Sequence, residues 1–468
     1  MIPPALQAIL LAAGLLAVGL LLRTRVQLLR WLYIPAAVVA GAVGLAALQT
    51  AKHVHGGDTA VGNFLNTIAA EWTTWPGMLI AVVFAGLLLE RPQEGGFGDA
   101  LRRGVRSGLL AWIIILGQIA IGVVVYVVAV RDARPDVPAT FSQLLEVSWA
   151  GGHGSAAAMG KIYNDRYHFP AGRDLAFFCA TVGLIYGVVS GLVFVNLAIR
   201  RGWTALPVAP PDARAGDAAA PADVPIAYGR VAGAVMEPMA LPAIVLAAAF
   251  AAGVGLQRLF LLLAGLAFGA DDPKVNNQAI DAAANVPLFL FTLLGGLIVR
   301  RVLDALGLGR LIESHSIARL LGLSMEFLIV AGIATMRIES LGRFGWPLLL
   351  LLVLAAFWSA FCLLALSRRL LPKAYWFELG LLNYGFSTAN TPQGLMLLRM
   401  IDPDLRTGAA ADYAIAAPLS APFVGGGIVT FLLLPLAFDR VGAEWILFGL
   451  LVAIAGMIGV GLAIARRE

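Results

Sequence analysis

The stretch "GGHGSAAAMG", residues 151–160, decides how this chain is read. It is glycine and alanine around one histidine, one serine and one methionine, with no charge. Such a segment makes a poor strand and an unstable helix, because glycine is entropically costly in both. Yet it sits between two long apolar stretches, at roughly 107–130 and 171–199. Backbone of this kind, in such a place, is either a close-packing seam or main chain deliberately laid open to a ligand.

Working outward, the chain has 468 residues, 60% of them hydrophobic and only 13% charged, with a mean hydropathy of +0.86. Soluble domains are about half apolar and about a quarter charged. The composition therefore points to an all-α polytopic membrane protein. Cys179 and Cys362 lie inside apolar runs and read as small packing residues. The first residues, "MIPPALQAILLAAGLLAVGLLLRTR", lack a basic start and read as a first span rather than a cleavable signal.

A spanning helix needs about 20 mostly apolar residues. Eleven stretches qualify: roughly 5–22, 31–48, 76–90, 107–130, 171–199, 239–267, 284–299, 312–336, 345–367, 408–437 and 441–465. The third is short and borrows "EWTTWPG" ahead of it. Two further stretches, 139–163 and 374–400, are long enough to enter a bilayer but too rich in glycine and polar residues to span it comfortably.

Basic residues cluster in alternate loops: Arg23, Arg25 and Arg30; Arg91, Arg102, Arg103 and Arg106; Arg200 and Arg201; Arg300, Arg301 and Arg310; Arg368, Arg369 and Lys373. The intervening loops "KHVHGGDTA", "DDPKVNN" and "DRVGAEW" hold one basic residue each. The asymmetry predicts an outside N-terminus and a cytoplasmic C-terminus in the cell (inner) membrane. It also requires that neither glycine-rich stretch cross fully, since counting one as a span would invert every later loop.

Residues 202–235 turn abruptly to proline, alanine and aspartate and read as a flexible cytoplasmic linker. It separates a first repeat, 1–201, carrying a re-entrant hairpin at 139–163, from a second repeat, 236–437, carrying one at 374–400. Residues 438–468 form an extra C-terminal span. Each repeat runs span, glycine-rich stretch, span at matching places, and five spans per repeat make the two inverted. Unpaired backbone groups in hydrocarbon cost several kcal/mol each, so these stretches must be covered by protein or line a cavity. As hairpins dipping to mid-membrane they would offer amides for a carboxylate and carbonyls for a cation. The competing reading, small-residue packing seams, suits one such stretch better than two at matching positions.

At "SWAGGHGSAAAMGKIYNDRYHFP" (148–170) and "FFCATVGLIYGVVSG" (177–191) the chain resembles the bacterial sodium/glutamate symporter family. That family carries a GGHG-type hairpin, a K-x-x-x-x-R-Y tail and a CAT-containing helix there. Weaker matches are "YIPAAVVAG" (33–41), "NYGFSTANTPQG" (383–394) and "APLSAPFVGG" (417–426). The resemblance implies two inverted repeats and homodimers. It further implies a moving transport domain bearing both hairpins beside a static scaffold, and sodium-driven uptake of glutamate-like anions. Three features depart from the family pattern: Ser387, Thr388, Asn390 and Gln393 make the second hairpin more polar, Met159 stands where the family tends to have tryptophan, and the eleventh span is additional.

The candidate substrate-binding residues are Gly151, Gly152, His153, Gly154 and Ser155 at the first tip, with Thr391 and Gln393 at the second. Candidate sodium ligands are Ser387, Thr388 and Asn390, whose oxygens suit a hard cation, and Glu326. Glu326 is the carboxylate near the centre of an expected span, where a charge costs about 3 kcal/mol. His153 could equally bond substrate, carry a proton or pin the hairpin to a neighbour. Helix capping by Thr388 and Asn390, and packing by Thr181 and Ser190, are the structural alternatives. Sodium is the coupling ion, with no resident cofactor and no nucleic-acid partner expected. Two other readings stand beside sodium symport: a proton-coupled organic-acid carrier using His153 or Glu326, and a membrane-embedded enzyme. The enzyme is disfavoured because the sequence offers no metal cluster, no Ser/His/Asp arrangement and no phosphate loop.

Overall fold

The computed structural model describes residues 2–31, 34–55, 59–87, 89, 97–206, 239–268, 288–309, 312–389, 391–402, 406–420 and 423–466. Among these it is helical with no strand. In chain order the helices are α1 (Pro4–Arg25), α2 (Ala36–His55), α3 (Ala60–Leu87), α4 (Phe97–Val125), α5 (Leu144–Ser148), α6 (Gly152–Asp165), α7 (Ala171–Arg201) and α8 (Ala240–Phe268). They continue as α9 (Leu288–Ala305), α10 (Ser314–Ala334), α11 (Gly345–Phe361), α12 (Trp376–Thr388), α13 (Thr391–Arg399), α14 (Ala409–Ser420), α15 (Leu434–Arg440) and α16 (Ala443–Ala465). Short turns of helix at Gln27–Trp31, Ile338–Arg343 and Ser367–Leu370 join them.

Eight helices among the described residues are long and apolar enough to cross a membrane, which fits a polytopic membrane protein. The other three expected spans look different. The apolar part of α2 covers only Ala36–Ala51, and α9 begins at Leu288, so residues 284–287 of its expected span lie outside the described residues. The stretch 408–437 is not one helix. It stops at Ser420 and resumes with a π-turn at Val429–Leu433, because Gly425 and Gly426 take positive φ values of 69° and 106°. That backbone is left-handed and leaves the helix. Conversely the short third candidate grows to 28 residues by taking in "EWTTWPG", with Pro76 inside the helix. Of the expected linker, residues 207–235 lie outside the described residues.

The helices pack in two groups. In one, α1, α2, α3 and α10 close around Ala8, Ala12, Ala37, Ala40, Ile68 and Trp72, while α8 and α9 pack on α3. In the other, α4 is enclosed on most sides by α11, α14, α16 and the segments around α5, whereas α1 and α16 turn most of their surface outward. Outward leucine, valine and phenylalanine side chains are what a lipid-facing helix carries. The two groups touch through α6 and α7, which pack on α3 and α10. One polar contact there is ionic. Asp174, fully buried, accepts from Arg337 Nε at 2.8 Å and Ser340 Oγ at 3.0 Å.

Candidate functional site

Two helix breaks face each other on α7. The first lies between α5 and α6. Gly151 N closes the short helix by donating to Glu146 O at 3.0 Å, and the chain reverses at Gly152, whose φ is +63°. From Gly152 onward the glycine-alanine stretch is helical, so the opening amides of α6, which have no intrahelical partners, lie at this turn. The second break lies between α12 and α13, where Thr388 ends one arm and Thr391 begins the next. A methyl group on Gly152 would stand 2.6 Å from the Ala389 carbonyl oxygen. The two turns therefore touch backbone to backbone.

Helix α7 makes this contact possible. A Cβ on Gly183 would lie 2.6 Å from Thr388 O and 2.7 Å from Trp149 Cδ1, and one on Gly187 would run into Gln393 Nε2 and Thr388 Oγ1. Gly191 presses on Leu397. Glycines four apart form one smooth face, and both breaks rest on it. The interrupted helix between α14 and α15 closes the opposite side. Gly426 lies against Ser155 Oγ, and Gly425 lies beside Ala150 and Phe386.

The expected substrate residues Gly151, Gly152, His153, Gly154, Ser155 and Gln393 are thus brought together, with His153, Ser155 and Gln393 all buried. His153 Nε2 donates to Thr181 Oγ1 at 3.1 Å, since the Thr181 hydroxyl is itself given to Phe177 O at 2.9 Å. That places the imidazole proton on Nε2 and pins the first break to α7. Gln393 Nε2 donates to Thr388 Oγ1 at 3.2 Å across the second break. Ser387 and Thr388 return their hydroxyl protons to Tyr384 O, at 3.1 and 3.0 Å, leaving oxygen lone pairs free to accept or ligate. Asn390 lies outside the described residues, and of Thr391 only the backbone is described.

Glu326 is not brought to the breaks. It is exposed on α10, one residue from Met325, which is the side chain that turns inward toward Gly154.

Sequence reasoning passed over several residues that build this place. Gly183, Gly187 and Gly191 announce themselves as "GLIYGVVSG", a small residue every fourth position. Gly425 and Gly426 stand in "VGGGI", inside the stretch 408–437 that reads by hydropathy as one span. Gln118 donates to Ser387 O at 2.7 Å from the middle of α4, where a lone glutamine in "IIILGQIAIG" was the signal. Glu146 is fully buried and accepts from Gly425 N at 2.7 Å and Thr430 Oγ1 at 2.6 Å. No group of three or more His, Cys, Asp or Glu side chains placed to hold a metal occurs among the described residues.

Comparison with known proteins falls on this region. Residues 100–207, from α4 through α7, match the family model described as sodium/glutamate symporter. The chain is 25% identical over 259 residues to the sodium/glutamate symporter of Escherichia coli (strain K12), and equally to that of Shigella flexneri. The alignment takes in 54% of this chain and 57% of each relative, so it spans little more than half the length of the proteins it matches. These matches agree with the resemblance read from the sequence.

Proposed function

We propose that the protein is a sodium-coupled secondary active symporter that imports glutamate or a related small dicarboxylate by elevator-type alternating access. The observation that carries this reading is the placement of the family match. Residues 100–207 hold the first helix break and the glycine face of α7 on which the second break rests. The relatives indicate a transporter and not an enzyme. In this reading α5–α6 and α12–α13 are re-entrant hairpins of two inverted repeats, with an outside N-terminus and a cytoplasmic C-terminus in the inner membrane. The repeats are supported by a further match: the helix before each break carries a π-turn near its end, at Tyr126–Val130 and at Cys362–Leu366. The group built on α4 is the moving body, the group built on α3 and α10 the scaffold, and two chains pair as a homodimer.

Amides at the start of α6, with His153, Ser155, Gln393 and Thr391, hold the anion; oxygens of Ser387, Thr388 and Asn390, with freed carbonyls, hold sodium. Each ligand offsets the other's charge in a low-dielectric place, so their affinities are linked. A tenfold linked change corresponds to about 1.4 kcal/mol of coupling. Glu326, exposed on α10, is left out of the ion site. The test is uptake of labelled glutamate, aspartate and C4–C6 dicarboxylates into proteoliposomes under an inward sodium gradient, with choline replacing sodium as control. Accumulation of one of these only with sodium is expected; equal accumulation in choline rejects the coupling.

A further inference from the structure

We propose that Glu146 anchors a second sodium site, set behind the first helix break and apart from the tip oxygens. The carboxylate is fully buried in α5. Its Oε1 accepts from Gly425 N and Thr430 Oγ1. Its Oε2 has no hydrogen-bond partner among the described residues, and no lysine, arginine or histidine there forms an ion pair with it. A buried carboxylate without a compensating charge is strongly unfavourable, so something must neutralise it.

The surroundings identify the neutralising group. Gln143 stands one helical turn before Glu146 and spends its amide NH2 on Thr430 O at 2.7 Å, which leaves its Oε1 without a partner. Ser142 Oγ and Thr140 Oγ1, on the same short segment, are also buried and unpartnered. Four buried oxygens thus stand along one arm, with Thr140, Gln143 and Glu146 at every third position and Ser142 four before Glu146. A proton bridges a single pair of oxygens. A hard cation takes up several oxygen ligands at once and brings the missing charge. Thr430, on the interrupted helix after α14, fixes the geometry: its carbonyl accepts from Gln143 and its hydroxyl donates to Glu146.

The consequence is mechanical. Gly425 donates to Glu146 and lies beside Ala150 and Phe386 at the two breaks. An ion on Glu146 would stabilise the contact between the first arm and the Gly425–Thr430 segment, and so hold the wall of the substrate site in place. Its part in coupling rests on the sodium-symport reading above; the presence of the ion does not.

The experiment uses the full-length purified protein without substrate. Bound 22Na+ is counted at equilibrium, and thermal unfolding is followed against sodium at constant ionic strength, with choline or potassium as replacement and at several pH values. Wild type should bind one sodium per chain more than Glu146→Gln. In sodium-free buffer Glu146→Gln should melt no lower than wild type, because an uncompensated charge has been removed. Sodium should then stabilise it less. Thr430→Val keeps the carboxylate and should weaken the Glu146-dependent ion about tenfold, close to 1.4 kcal/mol. The inference is overturned if Glu146→Gln binds as many ions as wild type, or if the Glu146-dependent stabilisation follows pH and ignores sodium. Should wild-type uptake prove sodium-independent while the Glu146-dependent ion is still bound, the symport reading fails and this site stands.

Discussion

Replacing Gly152 by alanine tests whether the two breaks must touch for transport. Gly152 has φ +63°, a conformation that costs an L-residue roughly 1–2 kcal/mol. The new methyl would also stand 2.6 Å from Ala389 O. An ordinary contact is about 3.5 Å, so the breaks would have to part by about 0.9 Å. If substrate binds only when they meet, the strain is charged against the bound state, and 1–2 kcal/mol lowers affinity by a factor of about 5–30. Global stability should change less, because replacing glycine also restricts the unfolded chain by about 0.4–1 kcal/mol. Gly322→Ala is the control: that glycine lies on α10, and a methyl added there would meet nothing within 4 Å. Sodium-driven glutamate uptake into proteoliposomes, as initial rate against substrate concentration, should show an apparent affinity about 5–30-fold weaker for Gly152→Ala and unchanged for Gly322→Ala. Gly152→Val should abolish uptake while the protein still elutes as a folded species. A Gly152→Ala protein with wild-type kinetics would refute the idea that backbone contact between the breaks builds the site.

Further outcomes follow from other contacts. Gly187→Ala drives a methyl into Gln393 and Thr388 and should reduce uptake at least about tenfold, read in the same proteoliposome assay; wild-type rates would remove the second break from the site. Glu326→Gln should transport with unaltered sodium and pH dependence, since Glu326 is exposed on α10; a shifted sodium midpoint would restore it to the ion path. Arg337→Ala leaves buried Asp174 with Ser340 and a longer Arg173 contact at 3.4 Å. Because Arg337 is half exposed, the loss should be roughly 1–2 kcal/mol, below that of a fully buried pair, and visible as a lower melting temperature. Gly56→Cys and Ala215→Cys should react with impermeant reagents from opposite faces of oriented vesicles. The native Cys179 and Cys362 are buried and should stay silent, and labelling from one face would reject the inverted repeat.

The helix breaks are legible in the sequence because they combine two signals, apolar length and an excess of glycine with hydroxyl and amide side chains. "GGHGSAAAMG" and "NYGFSTANTPQG" interrupt apolar sequence strongly enough to stand out without structure. What receives them is not legible, for a physical reason. The α7 glycines lie in a fully helical span, where a glycine every fourth position changes neither hydropathy nor length. Their meaning appears only when Thr388 and Gln393, some 200 residues later, arrive on that face. Residues 408–437 read as one span because three successive glycines barely lower the hydropathy of their flanks. Glu326 draws notice as a carboxylate inside an expected span, whereas Glu146, already inside a polar stretch, looks ordinary. Burial reverses their standing: Glu146 is enclosed and Glu326 is exposed.

That reversal bears on how an elevator could be built from this chain. Four polar contacts of the breaks close within the α4-centred group: Gln118 to Ser387 O, Glu146 with Gly425, Gln393 to Thr388, and His153 to Thr181. The α3–α10 group meets the first break mainly with apolar side chains, such as Ile80 and Met325 against Gly154. A body that slides past a scaffold keeps its hydrogen bonds only if they close on itself, since each buried polar partner left behind costs about 1–3 kcal/mol. Apolar contacts can be exchanged for similar ones at small cost along the way. Polar ties do exist: Arg173 on α7 donates to Thr73 O at 3.4 Å and to Thr335 O at 3.2 Å, and the ionic one is the Arg337–Asp174 pair, which ties α7 to the segment after α10. On this reasoning it is a latch specific to the arrangement described here. Arg337→Ala should then raise the fraction of molecules in the opposite-facing state. Accessibility of a cysteine introduced at Ser155 to reagents from each side of the membrane would report that fraction. Equal accessibility with and without Arg337 would mean that the pair stabilises the fold without choosing between states.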